Sequence, residues 1–253
     1  MILAVDPIHQ FRIIELFPVA KIGNAEISFT NSALLMLIAV FGLTFFMVGA
    51  TSKKSLVPSR LQSAAELTYE FVATTIRGTA GTEGMRFFPF VFTIFMFVLT
   101  LNMLGLIPYS FTVTSHIIIT AALAITVFLT VLIYGLARHG LHFFNLFVPK
   151  GVPIYILPLI IAIEILSFIS RPISHSVRLF ANMLAGHITL QVFAGFIILL
   201  GTGLGALGWA GGILPFAMIV ILFALETLVA FLQAYVFAIL TCIYLNDAIH
   251  PGH

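Results

Sequence analysis

Two apolar stretches set the terms for any fold this chain can adopt: one from Ile154 to about Leu200, the other from Ile213 to Leu245. A continuous helix over the first would exceed roughly 60 Å, about twice the hydrocarbon thickness of a bilayer. Such a stretch must tilt steeply, bend near Pro172 or split in two. The composition names the solvent. Hydrophobic residues make up 61% of the chain and charged residues 8%, against about 25% charged in soluble domains, so the chain is an integral membrane protein. At about 20 apolar residues per crossing there is room for about five or six crossings, with some chain left for interfacial helices. A formal charge of +2 without a basic tract argues against nucleic acid. The single cysteine, Cys242, lies in an apolar run, which leaves neither a disulfide framework nor a thiol set for metal.

The shorter segments can be read in order. Met1 to Thr30 mixes Asp6, His9, Arg12, Glu15, Lys21 and Glu26 with short apolar patches and lacks the layout of a cleaved signal. The first crossing, Ser32 to Ala50, is therefore expected to act as its own insertion signal. Leu61 to Thr79 scatters Glu66, Glu70 and Arg77 among apolar residues, the pattern of an amphipathic helix on the membrane face, broken by Gly78, Gly81 and Gly84. Phe87 to Ile107 is the second crossing, ended by Pro108, and His116 to Leu136 the third. Arg138, His139, His142 and Lys150 form a polar connection with Pro149 and Pro153 as breakers. His139 and His142 read more simply as solvated than as metal ligands, and no metal site is assigned. Gly201 to Gly212, with six glycines, reads as a turn joining the two long stretches. One membrane domain, 1–253, is expected: an outer or interfacial segment 1–30, peripheral helices and the amphipathic element over 31–150, and a helical hairpin over 151–253. With the N-terminus outside, Lys53, Lys54, Arg60, Arg77, Arg86, Arg138 and Lys150 fall inside, and only Arg12 and Lys21 outside, as the positive-inside rule requires. The C-terminus then lies inside.

The charges within the long stretches carry the chemistry. At about 100° per residue, Glu164, Arg171, Arg178 and Asn182 fall within roughly 60° of one another on a helix. His175 joins them, and Ser167 and Ser174 border the stripe. A polar face on an apolar helix must meet a protein partner or a water-filled cavity. A guanidinium cannot shed its charge, and placing one in hydrocarbon costs roughly 2.5–3.5 kcal/mol on insertion scales. His187 projects to about the opposite side of the same helix from Arg178. Glu226 and Gln233 share one face of the last helix, and an antiparallel hairpin brings Glu226 towards the middle of the first stretch. A buried histidine beside a carboxylate makes a proton relay. Plainer readings stand beside these: Glu164 with Arg171 as a structural ion pair, His187 with Glu226 as a packing pair, and Asn182 and Gln233 as helix–helix contacts. For Arg178 the structural reading is weaker, because Glu164 lies nearly four turns away and closer to Arg171.

The segment Arg178-Leu-Phe-Ala-Asn182-Met-Leu-Ala-Gly-His187, with Glu226 and Leu232-Gln233-Ala-Tyr-Val-Phe237, resembles subunit a of F-type ATP synthases. Asn102-Met-Leu-Gly-Leu-Ile-Pro108 and the amphipathic element support the match, which runs over nearly the whole chain. His187 with Glu226 is the alphaproteobacterial and mitochondrial arrangement, and Pro7-Ile-His-Gln-Phe-Arg-Ile-Ile14 looks like that branch. The resemblance implies an all-α integral membrane protein: about five membrane helices plus an amphipathic interfacial helix, the last two forming a long tilted hairpin against a c-ring. It implies a proton-translocating stator subunit with two offset half-channels separated by Arg178. His187, Glu226, Asn182 and Gln233 would line the outer half-channel. Glu164, with Ser167 and Ser174, would lie towards the inner one, while Arg171 and His175 serve packing or inner-channel polarity equally well. The implied partners are the c-ring, peripheral-stalk b-type subunits and membrane lipid, in a bacterial inner membrane or, alternatively, a mitochondrial one. The chain has no GxxxxGK[ST] loop, so direct nucleotide binding and catalysis are assigned to partners, and no cofactor is expected. The alternatives are a proton-coupled secondary transporter, which would show inverted repeats, and a structural subunit of a respiratory membrane complex.

Overall fold

Where the apolar runs are long the chain is helical, and the bounds follow the runs closely. The computed structural model describes residues 11–22, 25–52, 58–107, 110–148, 153 and 155–250. In chain order these form strands β1 (Glu15–Ile22) and β2 (Ala25–Thr30), then helices α1 (Asn31–Thr51), α2 (Arg60–Gly84), α3 (Phe88–Gly105), α4 (Ile117–His139), α5 (Leu157–Gly211) and α6 (Ile213–Ile249). Among the described residues, five segments are long and apolar enough to cross a membrane: Asn31–Thr51, Arg60–Gly105, Ile117–His139, Leu157–Gly203 and Gly208–Ile249. The multi-pass helical architecture and the long C-terminal hairpin are therefore present. Residues 7–10, Lys53, Lys54, Pro108, Pro149, Lys150 and 251–253 lie outside the described residues.

One detail differs from the sequence reading, and two of its points are made specific. Residues 15–30 hold an antiparallel strand pair, with Glu15 opposite Thr30 and Ile22 opposite Ala25. The alternation Glu26-Ile-Ser-Phe-Thr30 has the period of a strand, and its charges had masked it. Asn31 fastens the pair to the start of α1: its amide donates to the Ile14 carbonyl at 3.1 Å, and its side-chain oxygen accepts from the Ile14 amide at 3.3 Å. Of the alternatives for the first long stretch, a split is not what occurs there: α5 continues as helix through Pro172, although proline cannot donate to the Phe168 carbonyl. The turn expected within Gly201 to Gly212 is present. The chain reverses at Gly205, at φ 57° and ψ −132°, where two helical segments meet: a Cβ at Gly201 would touch the Trp209 side chain at 2.9 Å, and one at Gly212 would lie 3.6 Å from Ile197.

The chain divides into two compact units, and α1, α3, α5 and α6 contribute to both. The first unit comprises Met1–Phe41, Val98–His116 and Leu179–Gln233. Its core gathers Phe11, Val98, Leu101, Leu106, Phe111, Leu179, Met183 and Ala230. The Asn102 side chain donates to the Ala230 carbonyl at 3.1 Å, tying the end of α3 to α6. Within this unit α5 and α6 run antiparallel: Asn182 meets Gln233 and His187 meets Glu226, while Ile197 lies beside Gly212.

The second unit comprises Gly42–Phe97, Ile117–Arg178 and Ala234–His253. Here α2 is amphipathic as expected, burying Ala65, Val72, Ala73, Ile76 and Ala80 along one face and exposing Leu61 and Leu67. Ser59 caps it by accepting from the Gln62 amide at 3.3 Å. The expected break comes at Gly81, at φ 66°, where two helical segments meet across a kink. The Phe71 ring packs on Phe95 and Tyr235, with centroids 5.6 and 5.3 Å away. Thr120 on α4 shares a 3.1 Å hydrogen bond with Ser176 on α5.

Candidate functional site

The two arginines of α5 have opposite surroundings. Arg171 bonds Asp247, near the end of α6, at 2.6 Å. Its guanidinium lies over the rings of Tyr244 and Phe168, 5.0 and 5.4 Å from their centroids. Glu164, the partner the sequence suggested for Arg171, is half-buried and makes no hydrogen bond or ion pair with a described residue. The reason is reach: Asp247 lies opposite Arg171 across the helix pair, whereas Glu164 sits two turns along the same helix.

Arg178 is exposed, and its guanidinium makes no hydrogen bond or ion pair with any described residue. His175, three residues earlier, turns inward instead. It is 3% exposed, with its ring 3.7 Å from that of Phe237 and 5.9 Å from that of Tyr244. Three residues turn a helix by roughly 300°, which is enough to put the two side chains on opposite flanks of the expected stripe. Ser167 and Ser174 are exposed. Ile163, Leu166, Ile169, Ile173 and Val177 are also exposed, at helical spacing, and form an apolar face that leads to Arg178.

Within the first unit, the remaining polar residues meet in pairs. The Asn182 amide donates to Gln233 Oε1 at 3.3 Å. His187 Nε2 stands 3.5 Å from Glu226 Oε1, and both side chains are buried. Gly186 makes that approach possible, because a Cβ there would lie 2.7 Å from Glu226 Oε1 and 3.0 Å from its Cδ. Neither Glu226 oxygen has a hydrogen-bond partner among the described residues. His187 Nε2 also lies 3.1 Å from Thr112 Oγ1, and the Phe11 ring meets the imidazole edge-on at 6.3 Å. A histidine and a carboxyl so close, away from water, can exchange one proton while the pair keeps its total charge.

The structure thus brings together Asn182 with Gln233 and His187 with Glu226, while Glu164 and Arg178 have no such partner among the described residues. Sequence reasoning missed Thr112, Phe11, Asp247 and Tyr244. A signal existed for Asp247: it is the one acid after Glu226 in the last long stretch, and an antiparallel hairpin brings the end of that stretch towards Arg171. His139, weighed as a metal ligand, bonds the Ile249 carbonyl through Nε2 at 3.2 Å.

The fold and these residues define a class, the multi-pass helical membrane proteins whose longest helices carry paired ionisable side chains. The family model described as ATP synthase A chain matches residues 32–246. The chain is 66% identical to ATP synthase subunit a of Bradyrhizobium diazoefficiens over 249 residues, 98% of this chain and 99% of that protein. Against ATP synthase subunit a of Rhodopseudomonas palustris strain BisB18 it is 63% identical over 98% of this chain and all of that protein (100%). Its identity to the Nitrobacter hamburgensis subunit a is 64%, covering 98% of this chain and 99% of that one. The chain belongs to the ATP synthase A chain family, the proton-translocating stator subunits of F-type ATP synthases. The secondary-transporter and structural-subunit alternatives are not favoured.

Proposed function

We propose that Arg178 is the fixed positive barrier between two half-channels, each open to one side of the membrane. The observation that carries this reading is the contrast between the two arginines: Arg171 is neutralised by Asp247, whereas Arg178 is exposed and unpaired among the described residues beside an apolar helix face. A charge left unpaired in a membrane helix needs a partner from another chain or from water. The ring of c subunits supplies one: a carboxyl that travels neutral through lipid and ionises opposite the guanidinium. A fixed cation favours proton release from such a carboxyl and repels protons from any direct path between the half-channels.

His187, Glu226, Asn182 and Gln233 line the outer half-channel, where the His187–Glu226 pair passes protons. Glu164, with Ser167 and Ser174, faces the inner one. The interior position of His175 and the ion pair of Arg171 favour packing roles for both. The whole chain acts as one membrane domain in a bacterial inner membrane, N-terminus outside, with peripheral-stalk b-type subunits as further partners, and nucleotide chemistry resides elsewhere in the complex. Hairpin length supports a steep tilt: the 47 residues of Leu157–Gly203 correspond to about 70 Å of helix, and the 42 of Gly208–Ile249 to about 63 Å.

The test is ATP-driven proton pumping in vesicles carrying the whole complex, followed with a pH-sensitive dye. Arg178→Ala is expected to abolish pumping while the complex still assembles. Full pumping by that variant excludes the barrier role.

A further inference from the structure

We propose that Thr112 is a positioning residue for proton transfer between His187 and Glu226, a role that rests on the outer half-channel reading above. Thr112 is completely buried (0% exposed) in the connection between α3 and α4. Its Oγ1 lies 3.1 Å from His187 Nε2, the same nitrogen that stands 3.5 Å from Glu226 Oε1. One ring nitrogen therefore faces two oxygens of different capability. An ionised carboxylate only accepts hydrogen bonds, whereas a hydroxyl both donates and accepts. When Nε2 carries no proton, the Thr112 hydroxyl donates to its lone pair and Glu226 holds the proton as a neutral acid. Transfer breaks the Glu226 O–H bond, leaves that electron pair on the carboxylate and forms N–H at Nε2. Thr112 swings its hydroxyl hydrogen off the lone pair as the proton arrives, and the new N–H then donates to Thr112 Oγ1 at 3.1 Å, with the Glu226 carboxylate 3.5 Å away as the counter-charge. Thr112 thus holds the imidazole in both states without moving the ring.

Thr112 is itself held in place. A Cβ at residue 105 would sit 2.8 Å from Thr112 Cγ2 and 3.4 Å from its Oγ1, so Gly105 at the end of α3 leaves the space the threonine fills. The Ser115 amide donates to the Thr112 carbonyl at 3.2 Å, closing a turn around it. Across the imidazole stands Phe11. From α6, Glu226 is the ionisable side chain in ion-pair reach of His187 among the described residues. A valine would fill the same space without the hydroxyl.

The experiment compares Thr112→Val, Thr112→Ser and Glu226→Gln in the assembled complex, measuring proton flow through vesicles as the outer pH is varied. Thr112→Val is expected to slow flow by about three- to tenfold, the equivalent of one neutral hydrogen bond, and to shift the pH of half-maximal flow. Thr112→Ser should restore both. Native flow and profile in Thr112→Val, with Glu226→Gln slowed, overturn the role of Thr112 and leave the half-channel standing. If Glu226→Gln also runs at the native rate, the half-channel reading itself fails. Equal slowing by Val and Ser with no pH shift marks Thr112 as packing and overturns the proposal. Should Thr112→Val lower the abundance of the complex, Gly105→Ala gives the second reading, since it keeps the hydroxyl but displaces it. Slowed flow with the same pH shift supports the inference, and a native profile overturns it.

Discussion

A guanidinium keeps its charge whatever surrounds it, so each arginine in a membrane helix must be paid for by a neighbour. Arg171 has that neighbour in Asp247, reinforced by two aromatic faces. Arg178 has none among the described residues, which makes it the side chain that asks for an external acid. Glu226 poses the complementary question. It is 6% exposed, its oxygens lack hydrogen bonds among the described residues, and His187 is its one ion-pair partner there. Its position depends on a residue with no side chain. Gly186→Ala places a methyl group against the carboxyl, at 2.7 Å from Oε1, and must push it away from His187. Proton transfer is steep in distance, so flow through vesicles should fall by about ten- to a hundredfold while complex abundance, read on a gel, stays native.

At the scale of elements, α5 and α6 are fastened in register by polar contacts within each unit. In the second unit the fastening is Arg171 with Asp247. Arg171→Ala or Asp247→Asn leaves one partner unpaired, at a cost of about 1–2 kcal/mol; the figure is modest because the two side chains keep 21% and 27% exposure. The double variant should cost less than the two single ones added together, as measured by thermal denaturation of the purified complex. In the first unit, His116 ends the connection from α3, stacked on Phe111 at 4.8 Å. Burial lowers the affinity of its ring for a proton. The unfolded chain therefore binds a proton more readily than the folded one as pH falls below about 6.5. The stability His116 confers is full above that pH and is lost as acidification approaches its folded value. Hydrogen exchange at 110–116 should accelerate between pH 7 and 5, and His116→Phe should remove the dependence.

For the whole molecule, the solvent is what made the fold legible. Long apolar runs with few charges admit little besides helices, so Ser32 to Ala50, Phe87 to Ile107 and His116 to Leu136 match α1, α3 and α4 within a few residues. The strand pair at 15–30 escaped notice because its alternation is short and carries Glu15, Lys21 and Glu26. Glycine at six of the twelve positions 201–212 marked the turn, and the chain reverses among them, at Gly205. Pairing of His187 with Glu226 was readable because an antiparallel hairpin fixes it. Thr112 was not, since its contact joins residues 75 apart through a connection that shows no periodicity. The same reasoning sets the sharpest test of the barrier. Proton leak is measured across membranes in which the ring has been cross-linked to the stator so that it cannot turn. The native protein should hold the gradient and Arg178→Ala should let it collapse. A membrane that stays equally tight without Arg178 contradicts the account.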